Sequence, residues 1–106
     1  MLQTAVRTAS VGEILKEEFL RELGVTQTAL ATAMGVPRKH VNQLCNDRRA
    51  VTAAAALILA RVFGNSAEFW LNIQRQSDLW AALNSPHARE RIERAKPDSP
   101  TVSQSS

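Results

Sequence analysis

Apolar residues recur every three or four positions along most of the chain, which is the period of an amphipathic α-helix. Val, Ile and Thr never alternate with polar residues over four or more positions, as a half-buried strand would require. The pattern therefore predicts an all-α protein with five helices between Ser10 and Asn84.

The first helix is predicted to begin after Ser10, because Ser10 and Glu13 have the spacing of a capping box. Gly24 is placed to end this helix. A regular helix would bring one apolar stripe to the core at a spacing of four residues, formed by Leu15, Phe19 and Leu23.

Cap residues and glycines delimit the four remaining helices. They are predicted between Thr26 and Gly35, from Pro37 to about Asn46, between Thr52 and Gly64, and from Asn65 or Ser66 to about Leu83.

The two ends of the chain differ in character from the middle. Residues 1–9 are expected to form a flexible arm, and residues 10–84 form the single domain. In the tail, residues 85–106, a charged segment after Pro86 permits a short sixth helix. The last residues, DSPTVSQSS, offer almost nothing to bury and are predicted to be disordered.

The second and third predicted helices have the spacing of a helix-turn-helix unit. Ala31 supplies the small side chain needed where the two helices touch, and Gly35 tolerates the positive φ of the turn. Val36 fills the turn, while Val41 and Leu44 point from the third helix into the core. Because each residue meets a separate geometric demand, the combination is specific.

The outward side of the third helix carries amides and cations of the kind that read base edges: Arg and Lys for guanine, Asn and Gln for adenine. An ordinary exposed helix also has a polar face, so only the preceding turn favours the DNA interpretation. Gln27 opens the second helix, whose free amides attract phosphate. The predicted DNA-binding residues are Gln27, Arg38, Lys39, Asn42, Gln43, Asn46, Arg48 and Arg49.

Composition and charge agree with this interpretation without requiring it. The chain has 106 residues, 44% of them hydrophobic, which suits one domain with a packed core. A net charge of only +3 permits nucleic acid as a partner. The charge is segregated, since residues 27–61 are basic and residues 13–22 are acidic. Segregation fits a DNA face and a separate face for another partner.

Several classes of protein are not supported. A single cysteine allows neither a disulfide framework nor a cysteine zinc site and fits a cytoplasmic setting. The chain contains no run of about 18 apolar residues, so the sequence predicts no membrane span. His40 and Cys45 lie five apart on one helix and cannot form a nucleophile–base pair locally. The sequence therefore predicts no enzyme, no metal and no cofactor.

Two stretches of the chain resemble the HigA-type antitoxins of the Xre helix-turn-helix family. Together they cover roughly residues 12 to 80, and the opening GEIL combined with FGNSAEFWLNIQ is more specific than the helix-turn-helix alone. The stretches are GEILKEEFLRELGVTQTALATAMGVPRKHVNQLCNDRRAVT and ALILARVFGNSAEFWLNIQRQSDLW.

The resemblance implies a homodimer that binds a palindromic operator, often in its own promoter. It also implies a RelE-like, HigB-type toxin that cuts mRNA and that the antitoxin neutralises. Carried over to this sequence, the recognition contacts fall on Arg38, Lys39, Asn42 and Gln43, and a phosphate contact falls on Gln27.

Three positions depart from the family pattern. Ser10 and Val11 stand where His-Pro is usual, and Ser77 stands where tyrosine is common. Ile58 replaces a frequently charged residue and makes the fourth helix apolar nearly all round. Because such a helix is normally buried on more than one side, we expect a partner chain or the fifth helix to cover Ile58.

Two further surfaces are predicted for protein partners. The fifth helix carries more apolar and aromatic residues than an end helix needs, which favours a dimer seam at Ile73, Ser77, Trp80 and Leu83. The first helix carries an acidic strip at Glu13, Glu17 and Glu18 that suits a basic toxin, although an ordinary solvated face is the favoured explanation.

Three functions remain open at this level. The first is a DNA-binding antitoxin that represses its own operon, and the second is an Xre-type repressor without a toxin partner. The third is a protein-interaction module that uses the fold without touching DNA.

Overall fold

The computed structural model describes residues 9–97, which form helices and contain no strand. The all-α fold and the short sixth helix are confirmed. The predicted flexible arm, apart from Ala9, and the Ser/Pro-rich end of the tail lie outside the described residues.

Helix α1 spans Val11–Ile14 and passes directly into a π-helical segment, Leu15–Arg21. The helices that follow are α2 Gln27–Met34, α3 Arg38–Cys45, α4 Ala53–Phe63, α5 Ala67–Asn84 and α6 Pro86–Arg94. Most begin at a cap residue whose hydroxyl accepts the N–H three positions on: Ser10, Thr26, Thr52, Ser66 and Ser85. The choice between Asn65 and Ser66 is thereby settled in favour of Ser66.

The π-helical segment changes which side chains of the first helix reach the core. Leu15 and Leu20, five residues apart, are buried, whereas Leu23 is 60% exposed. Phe19 is half-buried between them. The predicted stripe is therefore confirmed at Leu15 and Phe19 and wrong at Leu23, because hydrogen bonds from i to i+5 widen the turn and align positions five apart rather than four.

An aromatic cluster joins the first helix, α4 and α5. Trp70 is fully buried, and its ring centroid lies 4.9 Å from that of Phe19, 6.0 Å from that of Phe63 and 5.0 Å from that of Phe69. Its indole N–H donates to Asn65 Oδ1 at 2.9 Å. Asn65 thus satisfies a buried donor instead of capping the helix.

The start of α1 is held against the end of α3. The Ser10 hydroxyl and the Gly12 amide both donate to the Asp47 carboxylate, at 2.7 and 3.0 Å. A Cβ on Gly12 would lie 2.5 Å from the Cys45 carbonyl oxygen. The glycine is therefore required by the close approach of two backbones.

Ile58 is half-buried and packs against the core. It also lines a shallow groove whose other residues lie on α2 and α4, namely Ala33, Met34, Arg61 and Val62. Its burial by a partner chain stays a prediction. The more exposed apolar side chain of α4 is Leu57, at 63%.

Candidate nucleic-acid interface

The turn between α2 and α3 has the geometry predicted for a helix-turn-helix. Gly35 adopts φ 72°, and the Val36 N–H donates to the Ala31 carbonyl at 3.0 Å. Ala31, Val41 and Leu44 are all buried. Because these contacts fix one side of α3 to the core, its opposite side faces outward.

The eight predicted DNA-binding residues form what we call the α3 surface. Six of them are exposed, while Gln27 and Gln43 are half-buried. Side-chain hydrogen bonds link five of them in two separate groups: Gln27, Asn42 and Asn46 in one, and Gln43 and Arg49 in the other. Arg38 and Lys39 lie in the first turn of α3.

Two side-chain amides of the α3 surface are already oriented by neighbours. Asn42 Nδ2 donates to Gln27 Oε1 at 3.3 Å, which links α3 to the start of α2. Arg49 Nε donates to Gln43 Oε1 at 3.0 Å. Each contact leaves a defined end of the amide directed to other partners.

Asn46 is engaged in ending its own helix. It is the C-cap residue of α3, and its Nδ2 donates to the Asn42 carbonyl at 2.9 Å. A base contact by Asn46 stays a prediction. To make that contact, Asn46 would have to share or give up its hydrogen bond to the Asn42 carbonyl.

The turn after α3 is a Schellman motif built on an aspartate. Asp47 adopts φ 56°, the Asp47 N–H donates to the Leu44 carbonyl, and the Arg48 N–H donates to the Gln43 carbonyl. Sequence reasoning recognised a polar turn here but missed the role of Asp47. The signal was present, since aspartate is among the few residues that tolerate the left-handed region. Arg48 and Arg49 therefore follow a turn whose backbone is held by hydrogen bonds.

His40 and Cys45 of α3 both have shifted pKa values. Burial, followed by the positive charge of Arg49, lowers the pKa of His40. Burial raises the pKa of the Cys45 thiol, which stays protonated in the core. Within residues 9–97 no three His, Cys, Asp or Glu side chains cluster as metal ligands. No helix in the same range is long and apolar enough to cross a membrane.

The four residues predicted for a dimer seam are all half-buried within the single chain. Ile73 packs against the core. Ser77 and Trp80 line a cleft that also contains Arg48 and Arg49. The most exposed apolar side chain of α5 is a neighbour, Leu79, at 56%.

The three acidic residues predicted for a toxin line one shallow groove, together with Ala9 and Ile14. Glu13 is engaged in the capping box with Ser10, and Glu17 pairs with Arg21 at 2.8 Å. Glu18 is exposed. Two of the three carboxylates therefore already have a structural partner.

Comparison with known proteins agrees with this geometry. A family model described as helix-turn-helix matches residues 15–70. Antitoxin HigA-1 of Vibrio cholerae serotype O1 is 51% identical over 84 residues, which cover 79% of each protein. The solved structure of the Pseudomonas aeruginosa antitoxin HigA with the higBA promoter has a TM-score of 0.78 and 35% identity, covering 88% of this chain and 100% of that one. Antitoxin GraA in complex with its operator has a TM-score of 0.80 and 36% identity, covering 93% and 99%.

Proposed function

Because the chain belongs to the HigA-type antitoxins of the Xre helix-turn-helix family, we propose that it binds an operator as a homodimer and represses its own operon. It further neutralises a RelE-like toxin that cleaves mRNA. It acts by binding rather than by catalysis, and in the cytoplasm, where its operator lies. The observation that carries the proposal is the α3 surface, whose amides and cations face outward because buried Ala31, Val41 and Leu44 fix α3 to the core.

Exposed arginines beside the recognition helix support the DNA part of the proposal. Arg48 and Arg49 are exposed and directly follow α3. Within residues 9–97, neither forms an ion pair with an acidic side chain. Their charge is therefore available to phosphates, which supply most of the affinity of proteins for DNA. The two solved relatives described above are complexes with a promoter and with an operator.

Arg48→Ala should weaken binding to operator and to random-sequence DNA about equally, because a phosphate contact carries no sequence information. The slope of log K against log salt should fall by about 1 per chain. Fluorescence anisotropy at several salt concentrations measures both quantities. Arg91→Ala removes an exposed arginine of α6 and serves as the matched control. An equal loss with Arg91→Ala, or binding by the wild type that does not depend on salt, would contradict a DNA-binding role for this surface.

A dimer is proposed because one helix-turn-helix reads one half-site of a palindromic operator. The seam is placed on α5 around Ser77, Trp80 and Leu83, where exposed Leu79 adds apolar surface that the single chain leaves uncovered. Apolar and aromatic side chains of this kind are typical of the buried centre of a homodimer interface.

Leu79→Glu should weaken the dimer at least about tenfold, since it places a charge in a desolvated seam. Leu23→Glu is the matched control, because Leu23 is 60% exposed and Leu79 is 56% exposed. Sedimentation equilibrium at micromolar concentrations measures the dissociation constant. A dimer left intact by Leu79→Glu, or weakened equally by Leu23→Glu, would place the seam elsewhere.

The toxin is proposed to contact the groove at Glu13, Glu17 and Glu18, whose charge suits a basic ribonuclease. The neighbouring reading frame provides the decisive observation. A small basic toxin that co-purifies with the chain and loses its mRNA cleavage supports the antitoxin function. If the neighbouring reading frame encoded no such toxin, the antitoxin function would be rejected in favour of a repressor that acts on DNA alone.

A further inference from the structure

Gln43 and Arg49 form a hydrogen-bonded pair, and the direction of this hydrogen bond affects which DNA base Gln43 can recognise. Arg49 Nε donates to Gln43 Oε1 at 3.0 Å, so the amide oxygen faces the guanidinium. One lone pair of Oε1 is thereby occupied beside a positive charge, while the Gln43 Nε2 group keeps both of its N–H donors for another partner. The sequence alone assigned Gln43 to adenine, a pairing that uses the oxygen and the nitrogen of the amide together.

The backbone beneath this pair is held in place. The Arg48 N–H donates to the Gln43 carbonyl at 2.8 Å, so the turn folds back directly over Gln43. Asp47, at the left-handed position of the turn, is tied by its carboxylate to Ser10 and Gly12. The backbone that precedes Arg49 is therefore held in place at Asp47 and at Arg48. The hydrogen bond from Arg49 to Gln43 forms within this ordered turn.

We propose that Arg49 is a positioning residue that holds the Gln43 amide nitrogen outward, so that Gln43 selects the acceptor edge of a guanine in the operator. The inference rests on the proposed operator binding and specifies which base one residue of the α3 surface prefers.

Base-edge chemistry supports guanine over the alternatives. In the major groove guanine presents two adjacent acceptors, N7 and O6, which match the donors of Gln43 Nε2. Adenine presents one acceptor beside an amino donor, and that donor would have to share the Gln43 oxygen with the Arg49 guanidinium by using its second lone pair. The positive charge of Arg49 also favours the electronegative edge of guanine over an amino group.

The neighbouring amide is engaged in the opposite sense. Asn42 donates one of its two amide N–H groups to Gln27 Oε1 at 3.3 Å, which leaves its oxygen and its other N–H for further partners. Gln43, whose oxygen accepts from Arg49, keeps both N–H groups. This difference between Asn42 and Gln43 arises from their partners, since both residues carry the same amide group.

The test is selection of bound sites from a pool of random double-stranded DNA by the full chain and three variants. Gln43→Ala should lose the preference at one position of each half-site, which identifies the base that Gln43 reads. At that position the wild type should prefer guanine over adenine by at least about fivefold, equivalent to the ~1 kcal/mol of a good base contact. Arg49→Lys retains the charge but lacks the Nε–H and the planar fork, so the ratio should fall to within about twofold.

Arg48→Lys is the matched control, because it makes the same change one residue earlier in the same turn and should leave the ratio unchanged. Circular dichroism checks the folding of each variant, which should be preserved because Arg48 and Arg49 are exposed and Gln43 is only half-buried. A loss of charge or of stability would lower the affinity for all sites and would not change the base preferred at one position. Retained preference in Arg49→Lys, adenine as the preferred base, or no position sensitive to Gln43→Ala would each overturn the inference while operator binding stands. A wild type that selects no motif at all would overturn operator binding and the inference together.

Discussion

Trp70→Ala should lower the free energy of unfolding by about 3–5 kcal/mol, the usual cost of removing a large buried aromatic side chain. Trp70 is fully buried and contacts Phe19, Phe63 and Phe69. Its removal leaves a cavity between the first helix, α4 and α5. The total free energy of unfolding of a small domain is only about 5–15 kcal/mol. Operator binding at 37 °C should therefore fall, because less of the protein is folded.

Urea unfolding followed by circular dichroism measures this loss, at one fixed protein concentration because a dimer gains stability by mass action. Two variants separate the contributions. Asn65→Ala removes the acceptor of the indole N–H and should cost about 1–3 kcal/mol through an unsatisfied buried donor. Leu23→Ala removes an exposed side chain that lies outside the proposed dimer seam and should cost little. A loss below about 1 kcal/mol for Trp70→Ala would mean that the aromatic cluster does not hold the three helices together.

The double variant Asn42→Ala/Gln43→Ala should retain binding to DNA in general and lose most of its preference for the operator. Each base contact removed is worth about 1–3 kcal/mol of discrimination, roughly a 5- to 150-fold change in preference. Both side chains lie at the surface of α3, and their hydrogen-bond partners Gln27 and Arg49 remain able to bond to water. The fold should therefore be little affected.

Competition between the selected operator and random-sequence DNA measures the preference of each variant. Arg48→Ala provides the contrast, because it should lower both affinities and leave their ratio unchanged. The two single variants show whether the contributions of neighbouring residues add. If the double variant lost operator and random DNA affinity in equal proportion, α3 would bind DNA without reading it.

Much of the fold follows from the sequence because its signals are local. Caps at Ser10, Thr26 and Thr52 are chosen by the residues within one turn of them, and each is observed. The helix-turn-helix is likewise local in origin, since Ala31, Gly35, Val41 and Leu44 lie within 14 consecutive residues and each meets its own geometric demand. The exposed position of Arg38, Lys39 and Asn42 follows from that geometry.

The tertiary structure decided what depends on contacts between distant parts of the chain. The π-helical segment leaves Leu23 outside the core, because packing against other helices overrides an even helical period. Asp47 reaches across 35 residues to the Gly12 amide, a pairing that no local pattern contains.

The same holds for the amides that face DNA. The sequence determined that this protein presents Asn42 and Gln43 on a recognition helix. Which hydrogen-bonding groups each amide keeps for DNA depends on Gln27 and Arg49, which only the folded chain brings within hydrogen-bond distance. An amide can donate or accept with equal ease, so its partner in space, and not its place in the sequence, sets what it reads.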